Sequence, residues 1–260
     1  MPQARDVNRA SALARSGNAE ERDIARINRD FYDALWSSAR LSRPEQFNTW
    51  PLISGLLPAA EARLEIGPGL HPRLPIAGTH FIDISAPAVA QLKARGGLAA
   101  VGEITALPFS DQEFDLVGAF DVVEHVRDDR RVLGELSRVL RNDGMLIFSV
   151  PLHASLWSDF DDWVGHVRRY EPSALAALLE EHHLVVEKSA AFGMKPSHPG
   201  LLRWGMQWLT DRHATAMRWY NGVLFPLGLL LQKRLKFADG WIETTGVDGI
   251  VLACRRRPRN

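Results

Sequence analysis

The 260-residue chain is predicted to fold as an α/β protein, an open doubly wound sheet with helices on both faces. Three observations lead there. From Ala62 onward, short apolar runs alternate with amphipathic stretches; the first run ends in Gly67-Pro68-Gly69; an acidic residue, Asp83, closes the second. Apolar strands alternating with helices indicate parallel strands covered on both sides.

Before Ala62 the chain reads as helical and charged, with Ile24, Ile27, Phe31, Leu35 and Trp36 at helix-like spacing. Leu41 to Pro58 carries Pro44, Pro51, Gly55 and Pro58 and predicts a turn-rich link. Strands are expected at Arg63–Ile66, His80–Ile84, Gly97–Val101, Phe114–Phe120 and Met145–Val150, then at Leu184–Ala190 and Gly249–Arg255. Helices are expected at Ala86–Arg95, at Asp129–Arg141 with Val132, Leu133, Leu136, Val139 and Leu140 on one face, and from Glu171-Pro172 with Leu175, Leu178 and Leu179 inward. A long helical insertion separates the last two strands. The expected units are a helical cap over residues 1–60, a core over 61–191, a helical lid over 192–248, and a last strand with basic tail over 249–260.

Composition narrows the function. Lys+Arg and Asp+Glu number 31 each, and this balance argues against a dedicated nucleic-acid binder. The single cysteine, Cys254, excludes an intramolecular disulfide and a thiolate-rich zinc site. None of the nine histidines shows metal-ligand spacing backed by carboxylates, so no metal is expected. Met1 to Glu20 holds no apolar signal-peptide core, and the run Val223–Leu231 is too short to span a bilayer. A cytoplasmic protein is the expectation. All eight tryptophans fall outside the strand–helix core, in the cap, after the fifth strand and in the insertion. Such residues suit ligand or partner surfaces and equally suit bulk packing onto a sheet.

In open parallel sheets, ligands bind beyond the carboxyl ends of the strands. Gly67 and Gly69 follow the first strand, where glycine lets the backbone turn and approach a ligand closely. Asp83 ends the second and can accept hydrogen bonds from the vicinal hydroxyls of a ribose. The third leads to Gly102-Glu103-Ile104, and the fourth ends in Asp121-Val122-Val123-Glu124-His125.

The stretches LEIGPG, FIDIS, GEITALPF, FDLVGAFDVVEHV and LSRVLRNDGMLIFSVP, in this order over roughly Ala62 to Ala191, resemble the class I S-adenosylmethionine-dependent methyltransferases. The resemblance implies a Rossmann-like seven-stranded sheet whose last strand runs antiparallel, and S-adenosylmethionine as cofactor. It implies that Gly67, Pro68 and Gly69 pass under the methionine and ribose and that Asp83 holds the ribose hydroxyls. Ile84 would pack on adenine, with Glu103 and Ile104 at its edge. Phe120 and Asp121 would meet the methionine amino group, which Glu65 would favour electrostatically. A dehydrogenase reading lacks the third glycine at the right offset. Two departures stand out. His71 replaces the family's third glycine, and Pro72 and Pro75 preclude the usual first helix. The cofactor carboxylate would then need another donor, Arg73 or Tyr32.

Methyl transfer needs a base only where the acceptor must lose a proton. His125, His153 and His166 are the candidate bases, with His125 and His166 taken as the catalytic candidates and a cap or backbone-bonding role as the alternative for His125. The stretch from Pro151 to Tyr170 also resembles a subgroup of bacterial small-molecule methyltransferases with a GHxRRY-like pattern, and Asp161 or Asp162 could pair with Arg168 or Arg169. Tyr32, Trp36, His153, Trp157 and Tyr170 are the expected substrate contacts. The expected acceptor is a small organic molecule, aromatic or apolar, bound under the insertion. The alternatives are a binding protein that keeps the fold without turnover, or a peripheral enzyme on a lipid or isoprenoid acceptor. The insertion's end, Leu229 to Lys236, offers a homodimer or peripheral membrane contact without stable membrane insertion.

Overall fold

The computed structural model describes residues 39–193 and 219–258. Strands β1 (Arg63–Ile66), β2 (Thr79–Asp83), β3 (Leu98–Val101), β4 (Phe114–Phe120), β5 (Leu140–Pro151), β6 (Leu184–Phe192), β7 (Ala238–Asp239) and β8 (Gly249–Arg256) form one sheet. Their order is β3-β2-β1-β4-β5-β8-β6-β7. The strands β1 to β5 pair in parallel, while β8 runs antiparallel between β5 and β6. This is the expected sheet of seven strands with its last antiparallel, extended at one edge by the two-residue β7.

The helices are α1 (Trp50–Leu56), α2 (Ala86–Lys93), α3 (Asp129–Val139), α4 (Asp159–Val164), α5 (Pro172–Glu181) and α6 (Phe225–Leu231). Side-chain caps start α2 and α3: Ser85 accepts from the Ala88 N–H at the head of α2, and Asp128 from the Arg131 N–H at the head of α3. Alternate residues of β4 face opposite sides, so two cores form. Val117 and Ala119 pack with Leu133 and Leu136 of α3 and Leu175 and Leu179 of α5. Leu116 and Phe120 pack with Ile53 of α1. Both faces are covered, as continuous apolar strands require. Cys254 is fully buried in β8, and burial pushes its thiol up.

Three stretches differ from expectation. Leu41 to Pro58 is not merely a turn-rich link, because it holds α1 between 3-10 turns at Pro44–Gln46 and Leu57–Ala59. Each proline sits in a first-turn position, where its missing N–H costs no hydrogen bond. The helix expected over Asp129–Arg141 stops at Val139, because Leu140 already pairs with Phe114 and begins a longer β5. The described part of the insertion is helical only through α6 and the preceding π turn Tyr220–Leu224. Beyond it the chain extends into β7. There Lys188 bonds Asp239, and Ser189 Oγ donates to Gly240 O at 2.6 Å and accepts from Ile242 N at 2.8 Å. The cap residues Tyr32 and Trp36, and the tryptophans Trp204 and Trp208 expected in the lid, lie outside the described residues. Among those described, no helix is long and apolar enough to cross a membrane.

Candidate active site

The carboxyl ends of β1, β2, β3 and β4 lie side by side at one edge, and the order reverses at β1, whose neighbours are β2 and β4. Gly67 and Gly69 turn the chain there with φ of +62° and +52°. A Cβ on Gly67 would stand 2.7 Å from Val122 Cγ2, so both conformation and space demand glycine. Asp83 is buried at the end of β2. Its Oδ2 accepts from Gly69 N at 2.8 Å and its Oδ1 from Ser85 N at 2.8 Å.

No helix forms between β1 and β2, as Pro72 and Pro75 foretold. Glu65 organises the replacement loop. Its carboxylate, 1% exposed, accepts from Arg73 N at 2.9 and 3.0 Å and from Leu74 N at 2.9 Å. Burial pushes this carboxyl up to about 7 against the pull of those N–H groups and of the Arg73 charge. The Arg73 guanidinium is buried too, 3.6 Å over the Phe47 ring. His71, at the position of the absent third glycine, stacks on Phe225 of α6 at 3.9 Å and meets Ser42 Oγ at 2.9 Å. Burial, then the Arg73 charge, lowers it to about 3, so it is neutral.

At the end of β4, Phe120 is buried and Asp121 adopts φ +52°. Asp121 Oδ1 accepts from Ser149 Oγ at 2.8 Å, and burial raises its carboxyl. Ile84 is half-buried and Ile104 buried, whereas Glu103 is exposed.

His125 and His166 are brought together, their ring centroids 4.8 Å apart. His166 reaches this place through α4. Ser158 and Asp161 close a capping box at its start, and Gly165 ends it in the left-handed conformation. The turn sets His166 Nδ1 2.9 Å from Asp161 Oδ1. His125 Nδ1 lies 3.2 Å from the Gly165 carbonyl. Burial lowers both histidines, His125 to about 3 with His166 adding to the effect, while Asp161 partly restrains the fall of His166.

The third member of this cluster, Glu124, escaped the sequence reading. Its carboxylate is 1% exposed, neither oxygen has a hydrogen-bond partner, and Oε1 faces His166 Nε2 at 3.8 Å. Burial first, then the nearby Asp121 charge, raises it well above the ordinary carboxylate range. The available signal was a carboxylate among valines at a strand end.

Asp161 pairs with Arg169 at 2.8 Å, both side chains fully buried, as one of the expected ion pairs. Arg168 pairs with Asp129 instead. His153 Nε2 meets the Thr244 carbonyl at 2.7 Å and thereby joins the β5 end to the insertion. Trp157 is 39% exposed and donates to Asp162. Tyr170, expected at a substrate wall, is 5% exposed in the core, and its hydroxyl donates to Asp129 at 3.1 Å. It packs because Pro151 and His153 bond its backbone directly beside the β5 end.

Residues 65–148 match the family model of a methyltransferase domain. A protein of Mycobacterium tuberculosis described as a probable S-adenosylmethionine-dependent methyltransferase is 31% identical over 102 residues, 38% of this chain and 37% of that one. The malonyl-[acyl-carrier protein] O-methyltransferase 1 of Coxiella burnetii is 38% identical over 85 residues, 32% of this chain and 30% of that one. The chain thus aligns with well under half the length of these relatives. Among solved structures, a methyltransferase of Thermotoga maritima described as a possible histamine N-methyltransferase superposes with a TM-score of 0.53 at 16% identity, over 88% of this chain and 94% of that one. The [4+2]-cyclase SpnF superposes with 0.53 at 15% identity over 80% of each. These structural likenesses establish the fold.

Proposed function

We propose that the chain is a class I S-adenosylmethionine-dependent methyltransferase that transfers a methyl group to oxygen, nitrogen or carbon of a small organic acceptor, aromatic or otherwise apolar. One observation carries this reading. The buried Asp83 carboxylate is fixed by the N–H groups of Gly69 and Ser85 beside the glycine turn, at the point where strand order reverses. A carboxylate held at this place suits the vicinal hydroxyls of a ribose.

The cofactor, when bound, supplies a methyl group on a sulfonium. The protein's part is to align and to exclude water. Gly67, Pro68 and Gly69 let it pass closely, Ile84 and Ile104 give adenine an apolar bed, and Phe120 and Asp121 face the methionine end. Arg73, in the loop that stands where a helix N-terminus would be, is the proposed partner for the cofactor carboxylate. Glu65 acts there as a positioning residue, since its oxygens hold the Arg73 and Leu74 backbone. The acceptor would sit toward His125 and His166, with His153 and Trp157 at the mouth of the cleft. The equal numbers of acidic and basic residues support a small acceptor over nucleic acid.

A second reading, a lipid or isoprenoid acceptor taken from a membrane surface, is favoured by α6. Leu230 and Leu231 are 83% and 72% exposed there, and the exposed Lys233, Arg234 and Lys236 follow. Co-sedimentation with anionic liposomes at low salt supports it; protein left in the supernatant counts against it.

Calorimetry with S-adenosylhomocysteine tests the leading proposal. Wild type is expected to bind, and Asp83→Ala to bind at least about tenfold more weakly, the scale of one lost charged hydrogen bond. No binding by wild type overturns it. Binding with no turnover of labelled cofactor across a broad acceptor panel replaces it with a non-catalytic relative.

A further inference from the structure

The cluster of Glu124, His125 and His166 has an unusual chemical composition. Each offers one ligand atom, and the three atoms lie within 4.8 Å of one another. The hydrogen bonds around them decide what those atoms are. His166 Nδ1 faces a carboxylate oxygen and His125 Nδ1 a backbone carbonyl. Both neighbours only accept, so each Nδ1 carries the proton and each Nε2 is a lone pair. Glu124 adds a carboxylate, 1% exposed and with no hydrogen-bond partner on either oxygen. Its Oε1 faces His166 Nε2 at 3.8 Å. Two acceptors facing each other in a buried place repel unless something positive lies between them.

We propose that Glu124, His125 and His166 bind one divalent first-row transition cation. Imidazole nitrogens with a carboxylate are a set that Zn²⁺, Co²⁺ and related ions take, whereas Ca²⁺ takes oxygens. Ligand atoms around such an ion stand about 3.4 Å apart. Glu124 Oε1 and His166 Nε2 stand 3.8 Å apart, and the three ligand atoms all lie within 4.8 Å of one another, near that spacing. The outer shell is already in place. Asp161 orients His166, the Gly165 carbonyl orients His125, and Arg169 fixes Asp161 at 2.8 Å. Asp121, the residue that follows β4, adds negative charge beside Glu124.

This site stands on its own ligands and holds whether or not the chain transfers methyl groups. The test is a Co²⁺ titration of the EDTA-stripped full chain, followed by visible absorption and calorimetry and repeated with Zn²⁺ and Ca²⁺. One saturable equivalent of Co²⁺ and of Zn²⁺ is expected, with Ca²⁺ far weaker. Glu124→Gln, which keeps shape and removes charge, should bind at least tenfold more weakly. Its cooperative thermal transition shows that it folds. Asp83→Ala should keep the metal while losing S-adenosylhomocysteine, which separates this inference from the cofactor reading. Co²⁺ bound equally by wild type and a folded Glu124→Gln overturns the proposal. So does no saturable uptake at millimolar metal, the cluster then being neutralised by a proton on Glu124.

Discussion

Gly69 donates its backbone N–H to Asp83 Oδ2 at 2.8 Å, and this bond ties the turn after β1 to the acidic end of β2. Ser85 N–H occupies the other oxygen at the same distance. Asp83 therefore acts on the fold as well as on a ligand. Asp83→Ala strands two buried donors and should cost about 2 to 4 kcal/mol by urea unfolding. Asp83→Asn keeps one acceptor oxygen and should lose roughly half as much. Equal stability for Ala and wild type would show that these bonds contribute nothing net.

Gly67 faces two separate constraints. An L-residue at φ +62° costs about 1 to 2 kcal/mol, and a Cβ there would press on Val122. Overpacking adds about 1 to 3 kcal/mol. Gly67→Ala should thus destabilise by about 2 to 4 kcal/mol. In a Val122→Ala background the same change should cost less, because only the backbone part remains. A double-mutant cycle in urea measures that difference, and strict additivity would refute the clash.

The Glu65 carboxyl has an ordinary value of 4.5 and is raised by burial to about 7 in the fold. Below 4.5 both states hold the proton. Between 4.5 and 7 the unfolded chain releases it while the native chain retains it, so stability falls as pH rises through this window. Above 7 the loss is complete, at about 3 kcal/mol. Glu65→Gln cannot titrate and should show a flatter stability profile from pH 4.5 to 7. Its absolute stability should fall as well, since an amide NH2 takes the place of the oxygen that accepts from Arg73 N at 2.9 Å and leaves one oxygen for Arg73 N and Leu74 N. The slope is the readout, and parallel profiles for the two proteins would contradict the shift.

Much of this arrangement was legible because it is local. Strand β4 reads as a continuous apolar run, and the boundaries expected for it, Phe114 and Phe120, are those observed. The glycine turn and Asp83 carry their reasons in their own residue types, as do Pro72 and Pro75 in forbidding a helix. What stayed hidden depends on segments that meet only in space. Pro51 reads as a breaker until it is seen in the first turn of α1. Strand β7 exists because Lys188 and Ser189 hold it against β6, not because Ala238-Asp239 prefers extension. Glu124 resembles a solvated surface acid until α4 delivers His166 beside it.

The Asp161–Arg169 pair is the structural support under that cluster. Both side chains are fully buried, and Asp161 also accepts from Ser158 N and Oγ at 2.9 Å and meets His166 Nδ1. Arg169 additionally bonds the Leu152 carbonyl and Asp248, so it links the end of β5 to the segment entering β8. Removing one partner of a buried pair leaves the other charge uncompensated, at a cost of about 3 to 5 kcal/mol. Asp161→Asn should approach that cost, because the amide retains an acceptor for Ser158 but no charge for Arg169. Asp161→Asn with Arg169→Met removes both charges and should recover part of the loss. Recovery is expected to be incomplete, since Arg169 also satisfies two carbonyls and His166 still lacks its carboxylate. Urea unfolding of the four proteins in this cycle measures the coupling. Additive losses would mean that the pair does not hold the loop together.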